Sequence, residues 1–112
     1  MANKNATLNY AYGINKGVVC EELTLSAGDI AIIPLKREQR MAVAIKNTSS
    51  SDVTVTVKAG NRYASALGDV ETVVAASKTI VIPLNDTARY MQEDGKIHIK
   101  VSGAATLNAF VV

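Results

Sequence analysis

Tryptophan is absent from this 112-residue chain, cysteine and histidine occur once each, proline twice, and the aromatic side chains are four tyrosines and one phenylalanine. Each scarcity excludes something. A single thiol, Cys20, cannot close an internal disulfide, and a single histidine, His98, cannot build a zinc centre, which takes four protein ligands or three and a water. Carbohydrate-binding modules and platforms for single-stranded nucleic acid present several aromatic faces, and here only Tyr10 with Tyr12 could make a small one. No apolar run approaches the roughly 20 residues of a membrane helix, so no membrane partner is expected. The opening MANKNATLNYAYG has no apolar segment of the kind a secretory signal carries, so synthesis and residence in a cytoplasm are expected. Twelve basic and ten acidic residues give a net charge of +2. They are spread along the chain, and nucleic acid is not expected as a partner, because phosphate neutralisation needs a concentrated basic face.

What is present is alternation. In residues 41–59, MAVAIKN and VTVTVKA flank the polar stretch TSSSD. Met41, Val43 and Ile45 fall on one side of the first run, and Val53, Val55 and Val57 on one side of the second, with Thr54, Thr56 and Lys58 opposite. Period two with β-branched residues on one face marks half-buried strands, and the short polar link reads as the turn of an antiparallel hairpin. The rest of the chain has to cover its apolar face. At 48% hydrophobic and 20% charged residues, and at this length, one domain can do so without metals or disulfides.

Residues 1–17 carry Lys4 and Lys16 but no acid, and alternate only weakly through Leu8, Tyr10 and Tyr12. They read as an N-terminal arm, either a frayed terminus or, as Tyr10, Tyr12 and Ile14 favour, a segment that orders against a partner, followed by a β-sandwich domain over residues 18–112. Strands are expected at 18–25, with a bulge at Glu21 and Glu22, and at 30–35, 70–75, 79–84, 96–102 and 106–112. Gly28 with Asp29, and Asp94 with Gly95, signal turns. Pro34 and Pro83 remove ladder donors and place their strand ends at sheet edges or departures. The stretch SAGDIAIIPL at 26–35 is echoed by AASKTIVIPL at 75–84. Two copies are too few for a repeat array and suggest that two packed sheets use one device at corresponding edges. KREQR at 36–40 reads as a solvated loop. Residues 60–71, with Arg62 and Tyr63, form the longest connection, which faces a partner and has room for one helical turn between Tyr63 and Leu67. Together these features predict an all-β, single-domain antiparallel β-sandwich or jelly-roll-like barrel of seven to eight short strands.

The chemical motifs resolve to structural roles. His98 alternates with Ile97 and Ile99, which puts it on the outer face beside Lys96 and Lys100. Cys20 reads as a buried thiol acting as a small hydrophobe. Asp86, Glu93 and Asp94 lack the spacing of a calcium loop. Three glycosylation-like triplets, at Asn5, Asn47 and Asn85, are turn residues in a chain without a secretory signal. With no phosphate loop, nucleophile elbow or dinucleotide fingerprint, the expectation is a non-enzyme without cofactor or metal.

The arm ATLNYAYGINKG, then LTLSAGD, then AASKTIVIPLNDTARYMQEDGKIHIKVSG and a closing strand resemble the small β-sandwich decoration, or cement, proteins of tailed bacteriophage heads, most closely over residues 74–112. The resemblance implies a virion structural protein, located on the capsid surface, that binds the outside of an assembled shell, stabilises it by bridging subunits of the major capsid protein, and is compatible with a homo-oligomer. Partner contacts are then expected from Lys4, Tyr10, Tyr12, Ile14 and Lys16 of the arm and from Arg62 and Tyr63. Another phage β-domain, at a fibre tip or baseplate, and a carbohydrate-binding or adhesion module are the alternatives.

Overall fold

The structure is a computed structural model that describes residues 2–10, 17, 19–34, 41–60, 68–84, 90, 92 and 95–111. Among them are ten strands: β1 Asn3–Asn5, β2 Leu8–Tyr10, β3 Leu23–Leu25, β4 Ile30–Pro34, β5 Met41–Asn47, β6 Val53–Val57, β7 Val70–Val74, β8 Thr79–Pro83, β9 Lys96–Val101 and β10 Ala105–Val111. The first sheet runs β1-β4-β9-β6-β7 and the second β2-β10-β5-β8, with β3 also on β10. The fold is an all-β sandwich. It has more than the seven or eight strands expected, and it is mixed rather than purely antiparallel, because β1 runs parallel to β4 and β2 parallel to β10.

The inner faces come from the alternation. Val53, Val55, Val57, Ile97, Ile99, Val101, Ala31 and Ile33 point inward from the first sheet, and Met41, Val43, Ile45, Leu107, Ala109 and Val111 from the second; all are buried. Burying each larger aliphatic side chain contributes about 1.5–3 kcal/mol, so this interdigitated layer is the main source of stability.

The hairpin expected over residues 41–59 is an arch. β5 lies in the second sheet between β10 and β8, and β6 in the first between β9 and β7, so the two strands face each other across the core. Alternation fixes which face is buried but is the same for a strand paired beside its neighbour and one stacked over it. What bends the chain across is Asn47, wholly buried at the end of β5. Its Nδ2 donates to the carbonyls of Ser51 and Val74, each at 2.8 Å, and its Oδ1 accepts from the backbone N–H and the hydroxyl of Ser49 at 2.8 and 2.7 Å. The links β1–β2, β3–β4, β7–β8 and β9–β10 also pass from one sheet to the other. Of the described strands, only β6 and β7 are neighbours both in sequence and in a sheet.

The expected free arm is not what residues 2–10 form. β1 pairs Asn3, Lys4 and Asn5 with Ile30, Ala31 and Ile32, and β2 pairs Leu8, Asn9 and Tyr10 with Ala109, Phe110 and Val111. Ala6 between them is buried. Two buried polar groups hold this segment. Asp29 Oδ1 accepts from Ala2 N–H at 3.0 Å, its Oδ2 accepts from Ser26 N–H at 2.9 Å, and Lys4 Nζ lies 3.2 Å from that Oδ2. Asn9 Nδ2 donates to Ala109 C=O at 2.8 Å, while its Oδ1 accepts from Glu21 N–H at 3.0 Å. Polar side chains that find partners inside the fold made this stretch look like a solvated tail.

Other expectations divide. Strand β3 begins at Leu23, so Glu21 and Glu22 precede it rather than bulging from it. Cys20 is exposed, not buried; it lies in the non-strand stretch before β3, beside Val19 at 93% exposure. Gly28 takes φ 82° and Gly95 φ 75°, as the turn signals required. Pro34 follows the end of β1's pairing at Ile32, and Pro83 lies on β8, the last strand of the second sheet. The two echoed segments therefore both run from an arch into a strand ending in proline, but only the second lies at a sheet edge, since β1 covers the first. The KREQR loop, the turn between Tyr63 and Leu67 and the acids Asp86, Glu93 and Asp94 lie outside the described residues.

Candidate functional site

The outer face of the first sheet carries a groove of about 250 Å³ lined by Thr54, Thr56, Lys58, Asp69, Glu71, Lys100 and Ser102. Register builds it. Thr56 lies between Glu71 of β7 and Lys100 of β9, and Thr54 lies opposite Val73. Lys58 N–H donates to His98 C=O at 2.9 Å, which extends the β6–β9 ladder by one residue. The polar halves of three alternating strands thus converge on one surface, and His98, half-buried, stands among Lys96, Lys100 and Lys58.

The charges in the groove are of both signs and partly paired. Lys58 Nζ lies 3.7 Å from Asp69 Oδ2, both side chains about 40% exposed, and Asp69 Oδ1 accepts from Ala59 N–H at 2.6 Å. Ser102 Oγ accepts from Thr54 N–H at 2.8 Å, so this hydroxyl caps the strand ladder. Such a surface offers hydroxyls, ammonium groups and carboxylates to a polar partner, and none of the described residues lining it is aromatic. Among the described residues no three His, Cys, Asp or Glu side chains gather to hold a metal ion.

The outer face of the second sheet is of opposite character. Its rows are Phe110–Ala42–Pro83, Asn108–Ala44–Val81 and Thr106–Lys46–Thr79. Lys46 is the one charge in these rows, and Val81 is 60% exposed.

Of the residues expected to touch a partner, Lys4 is committed within the fold: besides Asp29, its Nζ donates to Thr24 C=O at 3.1 Å. Tyr10 pairs through its backbone with Val111. Tyr12, Ile14, Lys16, Arg62 and Tyr63 lie outside the described residues. Sequence reasoning placed Thr54, Thr56 and Lys58 outside correctly, but could not assemble the groove, because that needs the order β7-β6-β9.

No helix of the described residues is long and apolar enough to cross a membrane. No protein-family model matches the chain, and no curated protein matches it. A solved structure described by the words "Bacillus endospore appendages form a novel family of disulfide-linked pili" is similar at TM-score 0.39 and 16% identity, over 84% of each chain. At that level of likeness nothing of the appendage's assembly carries over.

Proposed function

We propose that this protein is a structural component of a phage virion that binds the outside of an assembled capsid and stabilises it by bridging subunits of the major capsid protein. The observation that supports the reading is the presence of two unlike outer faces on one body. A bridge needs two separate contact surfaces, and here a mixed-charge groove around Lys58, Glu71 and Lys100 backs onto a nearly uncharged face of Ala42, Ala44, Phe110 and Val81. Charged groups in such a groove set register and discriminate partners, and the second face, exposed at Val81 and half-buried at Ala42, Ala44 and Phe110, supplies apolar contact area. The resemblance of residues 74–112 to capsid decoration proteins points the same way.

Co-sedimentation with purified capsids of a candidate phage tests the reading. The wild-type chain is expected to pellet with capsids at a stoichiometry that saturates. Lys100→Glu and Ala44→Lys, one on each outer face, are each expected to reduce the bound fraction while leaving the melting temperature within a few degrees. Absence of saturable binding by the wild type, or full binding by both variants, overturns it.

A further inference from the structure

We propose that β8 is a dimerisation edge: two copies pair β8 antiparallel about a twofold axis at Val81 and join their second sheets into one. Backbone direction carries the inference. Leu84 N–H donates to Met41 C=O, and Asn47 N–H to Lys78 C=O, each at 2.9 Å. In an antiparallel ladder, hydrogen-bonded pairs alternate with non-bonded ones. With Val43 opposite Ile82, Ala44 opposite Val81 and Ile45 opposite Ile80, the backbone groups of residues 78, 80, 82 and 84 turn toward β5. Those of Thr79, Val81 and Pro83 turn toward the open side. No described strand pairs there, since β8 ends its sheet.

The chemistry of that edge selects a second copy of the same strand. A twofold at Val81 sets Val81 against its counterpart and Thr79 against Pro83. The two Val81 residues exchange N–H···O=C bonds, and each Thr79 N–H meets a Pro83 carbonyl; the N–H that proline lacks leaves one donor absent in each copy. The strand TIVIP carries no charge, so no like charges oppose each other across the axis, and two β-branched side chains meet at its centre. Lys78, just before the strand, would lie six residues from its counterpart, roughly 20 Å at strand spacing, well beyond the screening length of about 8 Å. The last strand of the first sheet, β7, presents Glu71 beside Val73, and a charge at an edge blunts strand addition. The joined sheets would double the width of the outer face, whose rows carry one charge per copy, Lys46. The inference goes beyond the capsid reading and stands without it, because the dimer needs no capsid.

Light scattering after size exclusion, on the full chain without capsids, tests it over a concentration series. The expected mass at high concentration is twice the 11.8 kDa of one chain. Val81→Pro removes an N–H that points away from β5 and leaves the β5–β8 bonds intact, so it is expected to give a folded monomer. Val81→Lys, which puts two ammonium groups on the axis, provides the same test should the proline variant fail to fold. Val73→Lys, on β7, is expected to leave the dimer unchanged. A wild type that is monomeric throughout, a dimer that survives the folded Val81 variants, or one lost only with Val73→Lys overturns the proposal.

Discussion

The side-chain amide of Asn47 donates to the backbone carbonyl of Val74 at 2.8 Å and so ties the end of β5 in one sheet to the end of β7 in the other. Its second N–H and its carbonyl oxygen are also used within the same arch. Asn47→Ala leaves the Val74 and Ser51 carbonyls and the Ser49 N–H without this partner, at about 1–3 kcal/mol for each such group that stays dry. The expected loss is about 3 kcal/mol. Asn47→Asp keeps the shape but turns a carboxylate oxygen onto two carbonyls, so it is expected to cost more than alanine. Urea midpoints at constant m-value check the order; an unchanged midpoint in the aspartate variant would show that the amide is not what holds the arch.

Stability toward acid should depend on Asp29. Its carboxyl is held below the ordinary carboxylate range, chiefly by the Ser26 N–H, with Lys4 and the Ala2 N–H acting in the same direction and burial opposing them. A carboxyl whose pKa is depressed on folding contributes stability above its unfolded value, near 4, and that contribution is lost as pH falls through the folded value. Wild type is therefore expected to lose melting temperature below about pH 4. Asp29→Asn should start lower at neutral pH and show a flatter slope in that window. Parallel slopes for the two proteins would remove Asp29 from the acid response.

The same residues show what can be read from a sequence. Val53, Val55, Val57, Ile97, Ile99 and Val101 announce a buried face because alternation is local, and Gly28 and Gly95 announce turns because positive φ is local. Sheet partnership is not local. The stretch TSSSD suits a hairpin turn as well as an arch, and the deciding bond runs from Asn47 to a residue 27 positions away. β1 and β2 were hidden for a related reason. Lys4 and Asn9 look like solvated residues until Asp29 and Ala109 are brought beside them, and those partners lie 25 and 100 positions along the chain. The groove was half legible: Thr54, Thr56 and Lys58 share a face by period, whereas Glu71 and Lys100 join them only through the sheet order.

Gly95 sits at φ 75°, where its N–H donates to Gln92 C=O at 3.0 Å just before β9 begins. A β-branched side chain resists that backbone region, although the space around the glycine is open. Gly95→Val is expected to destabilise by about 1 kcal/mol or more through conformation alone. Thermal unfolding checks it, and an unchanged midpoint would mean that the turn relaxes freely to negative φ.

Val55 has no exposed surface and lies at the middle of β6 between β9 and β7. Val55→Asp would bury an unpaired carboxylate at a cost of several kcal/mol against a total of roughly 5–15. The variant is expected to be unfolded at 25 °C by circular dichroism. A soluble protein with a cooperative melt would show that the core accommodates a charge at this point.

Removing residues 1–10 separates the two roles that the N-terminal segment could play. A free arm could be deleted with little effect on the melt. In the structure the deletion strips β1 from β4 and β2 from β10, exposing strand edges in both sheets at once. It also takes Lys4 and the Ala2 N–H away from Asp29, and it removes Asn9, which links β2 to Ala109 and to Glu21. Each loss is modest alone, but together they amount to several kcal/mol. At about 4–8 °C per kcal/mol for a domain near this size, the midpoint is expected to fall by about 20 °C or more. The double variant Lys4→Ala, Asn9→Ala, which keeps the backbone pairing, should fall part of the way. If the truncated chain melts within a few degrees of the intact one, β1 and β2 contribute nothing to the sandwich and the segment is an arm after all.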